Sequence, residues 1–180
     1  MFATPSNPGS DSHVGRLVGL APIYDGRARL LVLGSFPGAA SLQAAQYYAH
    51  PRNAFWPVMG ALLGAPHLPT LPYDERLHTL RRHGVALWDA VATCRREGSL
   101  DTAIEAVEPS VLRELVDRLP ELRAIACNGA LAHRQTLLAL GTVALPVLRL
   151  PSTSPAHAGL SLATKIATWR AALDLYVATG

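Results

Sequence analysis

The stretch "ARLLVLGSFPG", residues 28 to 38, decides how the rest of the chain is read. Its first eight residues are a short apolar run ending in Gly-Ser, the pattern of a strand buried on both faces of a parallel sheet. A helix should follow such a strand. In "NAFWPVMGALLG" apolar residues recur at helical spacing, and Pro57 fits within a first turn, which places the helix start close to Asn53. "YDERLHTLRRHG" (73 to 84) predicts a second helix, with acids in its first turn, bases in its last and Gly84 closing it. "VALWDAVATC" (85 to 94) reads as one apolar strand interrupted by Asp89, and "EPSVLRELVDRLPEL" as a helix with Pro109 at its start. "RAIACNG" (123 to 129) is a third strand and "ALAHRQTLLALG" a helix, while "LPVLRLPSTSPAH" is a fourth strand running into a loop, and 160 to 178 a last helix. This alternation predicts an α/β fold, a three-layer α/β/α sandwich around a four-stranded parallel sheet.

A chain of 180 residues, 49% apolar and 16% charged, is expected to form one domain, 16–180, behind a flexible polar lead at 1–15. The lead has no charged segment followed by an apolar one, and no apolar run approaches 18 residues, so a cytoplasmic monomer away from membranes is expected. Cys94 and Cys127 are far apart and read as core thiols; the seven histidines form no ligand pattern, so neither a metal nor a cofactor is expected. Fifteen arginines face a single lysine, Lys165, and the sequence pI is about 9.2, a balance that permits a polyanionic partner. Schiff-base chemistry would have to fall on Lys165, which reads as part of an ordinary C-terminal helix away from the strand ends.

Sites in parallel α/β sheets lie at the carboxyl ends of the strands. Here those ends are "GSFPG" (34 to 38), "WDAVATC" with the following "RREGS", "CNG" (127 to 129) and "PSTSPAH" (151 to 157). Each is rich in Gly, Ser, Thr, Asn or Asp. A structural role competes at each position: Asn53 suits a helix N-cap, Asp89 could pair with an arginine, and Asn128 beside Gly129 suits a turn.

Together with "QYYAHPRNAFWPVMG" and "LWDAVATCRREGSLDTAI", these segments resemble the uracil-DNA glycosylase superfamily, and most of all its hypoxanthine-DNA glycosylase branch. The resemblance runs from about Leu30 to His157 and is most specific in "YYAHPRNAFWPVMG". It implies an enzyme that hydrolyses the N-glycosidic bond of a deaminated base in double-stranded DNA, with uracil or a silent binding module as the alternatives. A flipped base needs a snug pocket with a stacking wall, for which Phe36 and Tyr48 (or Tyr47) are suited. Departure of the base calls for donors aimed at it and a positioned water. The resemblance implies His157 and the backbone N–H groups of Gly34, Ser35, Phe36 and Gly38 as donors, with Pro37, which has no N–H, lining the same loop, and Asn53 as the residue that orients water. Many superfamily members carry an Asp or Asn within the first loop. Here Ser35 and Phe36 stand in that region, and the role passes to the Asn of "HPRN". His50, Asp89 and Asn128 are expected to contact substrate, and Arg52, Ser152, Thr153 and Ser154 the DNA backbone.

Overall fold

The computed structural model describes residues 15–96 and 100–177, so the expected lead, apart from Gly15, and the "EGS" at 97–99 lie outside the described residues. The first run forms β2, Leu30–Gly34, in which every residue is buried. It pairs in parallel with β3, Val85–Asp89, on one side and β6, Ala124–Asn128, on the other, and β6 pairs in parallel with β7, Val147–Leu150. The strand order β3-β2-β6-β7 is the expected four-stranded parallel sheet.

Alternation along the strands explains the three layers. Leu30, Val32, Val85 and Leu87 face one core with Phe55, Leu80 and Trp169, which come from α2 (Phe55–Leu62), α3 (Tyr73–Arg82) and α6 (Leu162–Leu173). Leu31, Leu33, Ile125 and Cys127 face the other core, with Leu112 and Leu115 of α4 (Leu112–Asp117) and Ala132 of α5 (Ala130–Leu140). A central strand covered on both faces keeps no polar side, which is why its sequence is continuously apolar. Each such fully buried aliphatic side chain contributes about 1.5–3 kcal/mol through removal from water. Cys94 and Cys127 are both buried free thiols.

The run 85 to 94 is two strands rather than one. β3 ends at Asp89, and after Ala90 the chain leaves the parallel sheet as β4, Val91–Arg96. β4 pairs antiparallel with β1, Leu17–Val18, and with β5, Ile104–Pro109, in a second, three-stranded sheet. Two parallel-sheet bonds survive the bend, from the Ala90 N–H to the Gly34 carbonyl at 2.8 Å and from the Val91 N–H to the Ser35 carbonyl at 3.1 Å. Pro109 accordingly closes β5 instead of opening a helix, at a strand edge where its missing N–H costs nothing. A short helix α1, Ala39–Ala44, stands between β2 and the helix that the sequence places near Asn53.

Candidate functional site

The carboxyl ends of β2, β3 and β6 and the loop after β7 surround a cavity of about 130 Å³. Gly34, Ser35, Phe36, Pro37, Gly38, Tyr48, His50, Asn53, Asp89, Asn128, Ser152, Thr153 and Ser154 all line it, joined by Ser41, Tyr47 and Pro155. Segments up to about 120 positions apart in sequence meet here because β2 lies at the centre of the sheet, between β3 and β6.

Close approach fixes the floor. A Cβ on Gly34 would stand 2.2 Å from Asp89 Oδ1, so only glycine lets β2 and β3 meet with that carboxylate between them. Asp89 is 4% exposed, and its backbone carbonyl accepts the Ser110 hydroxyl at 2.7 Å. Burial, and after it the charge of Asp89, pushes the Tyr47 hydroxyl far above the ordinary tyrosine range. That hydroxyl therefore stays a neutral donor, to the Ala21 and Leu20 carbonyls at 3.0 and 3.2 Å. Ser41, unmarked in the sequence, holds the opposite turn by accepting the Ala49 N–H at 3.1 Å.

Tyr48 takes a left-handed backbone conformation, φ 54°, which costs a non-glycine residue energy and persists where its surroundings over-determine it. Its ring stacks on Phe55 with centroids 3.8 Å apart, and its hydroxyl accepts the Asn128 Nδ2–H at 3.2 Å. Asn128 Nδ2 also donates to Thr153 Oγ1 at 2.8 Å, while Asn128 Oδ1 accepts the Thr153 N–H at 2.9 Å. Through these bonds the Asn128 carboxamide ties β6 to the last loop at the cavity wall. They also correct the expectation for Thr153. Its side chain is 1% exposed and turned toward Asn128, and its amide and carbonyl are both bonded within the protein, the carbonyl to the Ala54 N–H at 3.0 Å, so it faces inward rather than out toward a phosphate.

Asn53 sits just before α2. Its Oδ1 accepts the Phe55 N–H at 3.0 Å, an Asx turn that sets how the chain runs into the helix, while Ala54 holds the cap position itself. Of the two ends of a carboxamide only the oxygen can accept from an N–H, so this bond fixes the orientation of the amide, leaving one Oδ1 lone pair and both Nδ2 protons. The same logic applies to His50: its Nδ1 accepts the Arg52 N–H at 3.1 Å, so the neutral ring carries its proton on Nε2. Arg52 itself is exposed and does not line the cavity. Ser152 Oγ accepts the Ser154 N–H at 3.2 Å, and Ser154 Oγ accepts the Ala156 N–H at 3.3 Å, so both hydroxyls shape the loop while keeping an O–H to donate.

His157 departs from expectation. It is exposed on a 3₁₀ turn, Pro155–His157, and lines a neighbouring groove with Lys165 instead of the cavity. The imidazole at the cavity is that of His50. Lys165 departs as well: it is 5% exposed, its Nζ donates to the His157 carbonyl at 3.0 Å, and burial lowers its pKa. With Trp169 Nε1 donating to the Pro151 carbonyl at 3.0 Å, α6 clips the loop at both ends. Lysine and loop are thus neighbours, against the sequence expectation that Lys165 lies away from the strand ends. Among the described residues no three His, Cys, Asp or Glu side chains group as metal ligands.

The family profile described as Uracil DNA glycosylase superfamily matches residues 21–173. The chain belongs to the uracil DNA glycosylase superfamily. Two relatives are each named hypoxanthine DNA glycosylase. The protein from Methanosarcina acetivorans is 34% identical over 139 residues, 77% of this chain and 87% of the relative. The one from Methanosarcina barkeri is 38% identical over 111 residues, 62% of this chain and 70% of the relative. A solution NMR structure of a candidate uracil DNA glycosylase from Methanosarcina acetivorans aligns with a TM-score of 0.73 at 31% identity, covering 87% of this chain and 98% of that one. The superfamily fold is therefore the one described above.

Proposed function

We propose that this protein is a monofunctional DNA glycosylase that hydrolyses the N-glycosidic bond of deoxyinosine in double-stranded DNA and releases hypoxanthine. The observation that carries the reading is the presence of Asn53, its amide orientation fixed by the Phe55 N–H, in the same cavity as a first loop that contains no acid. The naming of two relatives as hypoxanthine DNA glycosylases supports the choice of base.

A base inside a duplex is out of reach, so the nucleotide is rotated into the cavity at a cost of a few kcal/mol. Phe36 and Tyr48 offer aromatic surface for stacking. The C1′–N9 bond then breaks with its electron pair going to the base, and positive charge develops on the sugar. With Nδ1 accepting the Arg52 N–H, the His50 Nε2–H is the donor suited to the departing base. Asn53 holds a water by its remaining Oδ1 lone pair and Nδ2 protons. The water oxygen bonds to C1′, the proton it sheds leaves to solvent, and the departed base takes up one proton from solvent to become hypoxanthine. Asparagine cannot deprotonate that water, which suits a dissociative reaction needing position more than nucleophilic push. The Ser152 and Ser154 hydroxyls and exposed Arg52 are the contacts proposed for phosphates, with the protein acting as a monomer.

Oligonucleotides carrying a single inosine, uracil or xanthine, incubated with the protein and then treated with alkali, test the reading. Strand scission at inosine is the expected result. Cleavage at uracil alone would overturn the choice of base, and no product on any lesion would overturn the enzyme.

A further inference from the structure

β4 ends at Arg96, which lies half-buried against the loop that follows β2. Its Nη2 donates to the Pro37 carbonyl at 2.6 Å, and its guanidinium carbon stands 5.1 Å from the centre of the Phe36 ring. Its Nε and Nη1 are buried with no hydrogen-bond partner among the described residues. Buried donors left unused in this way are costly and call for a reason. What the arrangement gains is a grip on two successive residues of one loop.

Phe36 lines the cavity, whereas Arg96 does not, so the guanidinium acts on the cavity through the ring. On the antiparallel-sheet side the ring packs with Val91 and Cys94, apolar contacts that fill space without fixing its tilt. A planar cation over the ring face adds a directional contact. The bond to Pro37 adds a second constraint, because in a trans peptide the N–H of Gly38 points opposite to the carbonyl of Pro37. Holding that carbonyl from the β4 side fixes the direction of the Gly38 N–H. Lysine could supply the charge and one hydrogen bond but not the planar stack.

We infer that Arg96 is a positioning residue of the base cavity, holding the Phe36 ring and the Pro37–Gly38 peptide where a flipped base stacks. The inference rests on the glycosylase reading and adds to it a residue outside the cavity, in the "RREGS" segment, that acts on the base alone. A sugar without a base has nothing for Phe36 to stack on. The effect of Arg96 should therefore appear with inosine and vanish with an abasic site, a split that loss of stability cannot produce.

The test compares wild type, R96M and R96K by single-turnover release of hypoxanthine, and by affinity for two duplexes. One carries 2′-fluoro-deoxyinosine, whose glycosidic bond resists cleavage; the other carries a reduced abasic site. Loss of part of a base-stacking contact predicts that R96M binds the fluoro-inosine duplex about tenfold more weakly, cleaves inosine about tenfold more slowly, and binds the abasic duplex as wild type does. R96K should recover less than half of either loss on a logarithmic scale. In an F36L background R96M should cost less than it does in the wild type, since the ring is gone and only the Pro37–Gly38 peptide is left to hold. Should R96M fail to fold, R96K gives the same comparison at smaller amplitude. Equal losses on the two duplexes, or an R96M that cleaves like wild type, would overturn the inference. A wild-type protein that releases no hypoxanthine would instead overturn the glycosylase reading.

Discussion

Replacing Asn53 by alanine removes two things at once, and their sizes can be separated. The first is the Asx bond to the Phe55 N–H, 3.0 Å long, at the start of a helix whose first residues, Phe55 and Trp56, are in the core. Side-chain bonds to helix-start N–H groups are worth about 1 kcal/mol, and for a chain of this size that lowers Tm by roughly 2–4 °C. The second is the amide that would hold water against C1′. Loss of a positioned group of this kind costs on the order of a hundredfold in rate, about 2.7 kcal/mol of barrier. Asn53→Ser keeps a hydroxyl able to accept the Phe55 N–H but shortens the side chain and discards the amide. The expected pattern is a Tm near wild type for N53S and a few degrees lower for N53A, with both slowed about a hundredfold in single turnover on inosine DNA and DNA affinity within a few fold for both. Thermal melts and quenched single-turnover kinetics on the same preparations read this out. An N53S variant that recovers the wild-type rate together with the wild-type Tm would show that Asn53 serves only the helix, and the reasoning about water would fail.

Three further outcomes are expected. Gly34→Ala places a Cβ 2.2 Å from Asp89 Oδ1, so β2 and β3 must separate at the cavity floor; Tm should fall and cleavage be lost, and a G34A protein with wild-type rate would contradict the geometry. Borohydride added during turnover should trap no protein–DNA adduct, because Lys165 donates to the His157 carbonyl in the neighbouring groove and does not line the cavity; an adduct abolished by Lys165→Ala would refute water as nucleophile. Burial raises the Cys127 thiol to about 11, so the unfolded chain loses that proton first as pH rises. The stabilisation is complete below the ordinary thiol range and is lost through about pH 11, amounting to about 2–3 kcal/mol by linkage, and Cys127→Ala should flatten that alkaline decline in a chemical-denaturation series.

The parallel sheet was legible because its strands are buried on both faces and so are written in continuous apolar runs, as at Leu30–Gly34 and Ala124–Asn128. The same property hid the second sheet. Val85–Asp89 and Val91–Arg96 join through the single residue Ala90, and no turn residue marks the place where the chain changes sheets. β5 was hidden differently: it is half-exposed, carries Ala106 at φ 48° and meets β4 with shifted register, so it shows no period of two. Among site residues, position at a strand end was enough to find Gly34, Asp89 and Asn128, since the sheet brings those ends together whatever the side chains do. Direction was not legible. Whether Thr153 turns toward Asn128 or outward, and whether the chain carries His157 past the cavity, depends on a loop whose shape is set by bonds to Asn128, Ala54, Lys165 and Trp169, residues from three other elements. Arg96 carried no signal beyond being one of two adjacent arginines.

The bond from the Ala54 N–H to the Thr153 carbonyl makes neighbours of two parts that a lineage would otherwise adjust separately. One is the loop proposed to grip DNA, the other the turn that carries Asn53. A substitution that reshapes the loop to suit a different duplex geometry also moves the peptide that precedes α2, and with it the residue proposed to hold water. Selection on grip alone is then unavailable along this route: variants accumulating between residues 151 and 157 should trade turnover against affinity in pairs, and compensating changes should gather around 54, beside an Asn53 that cannot itself vary.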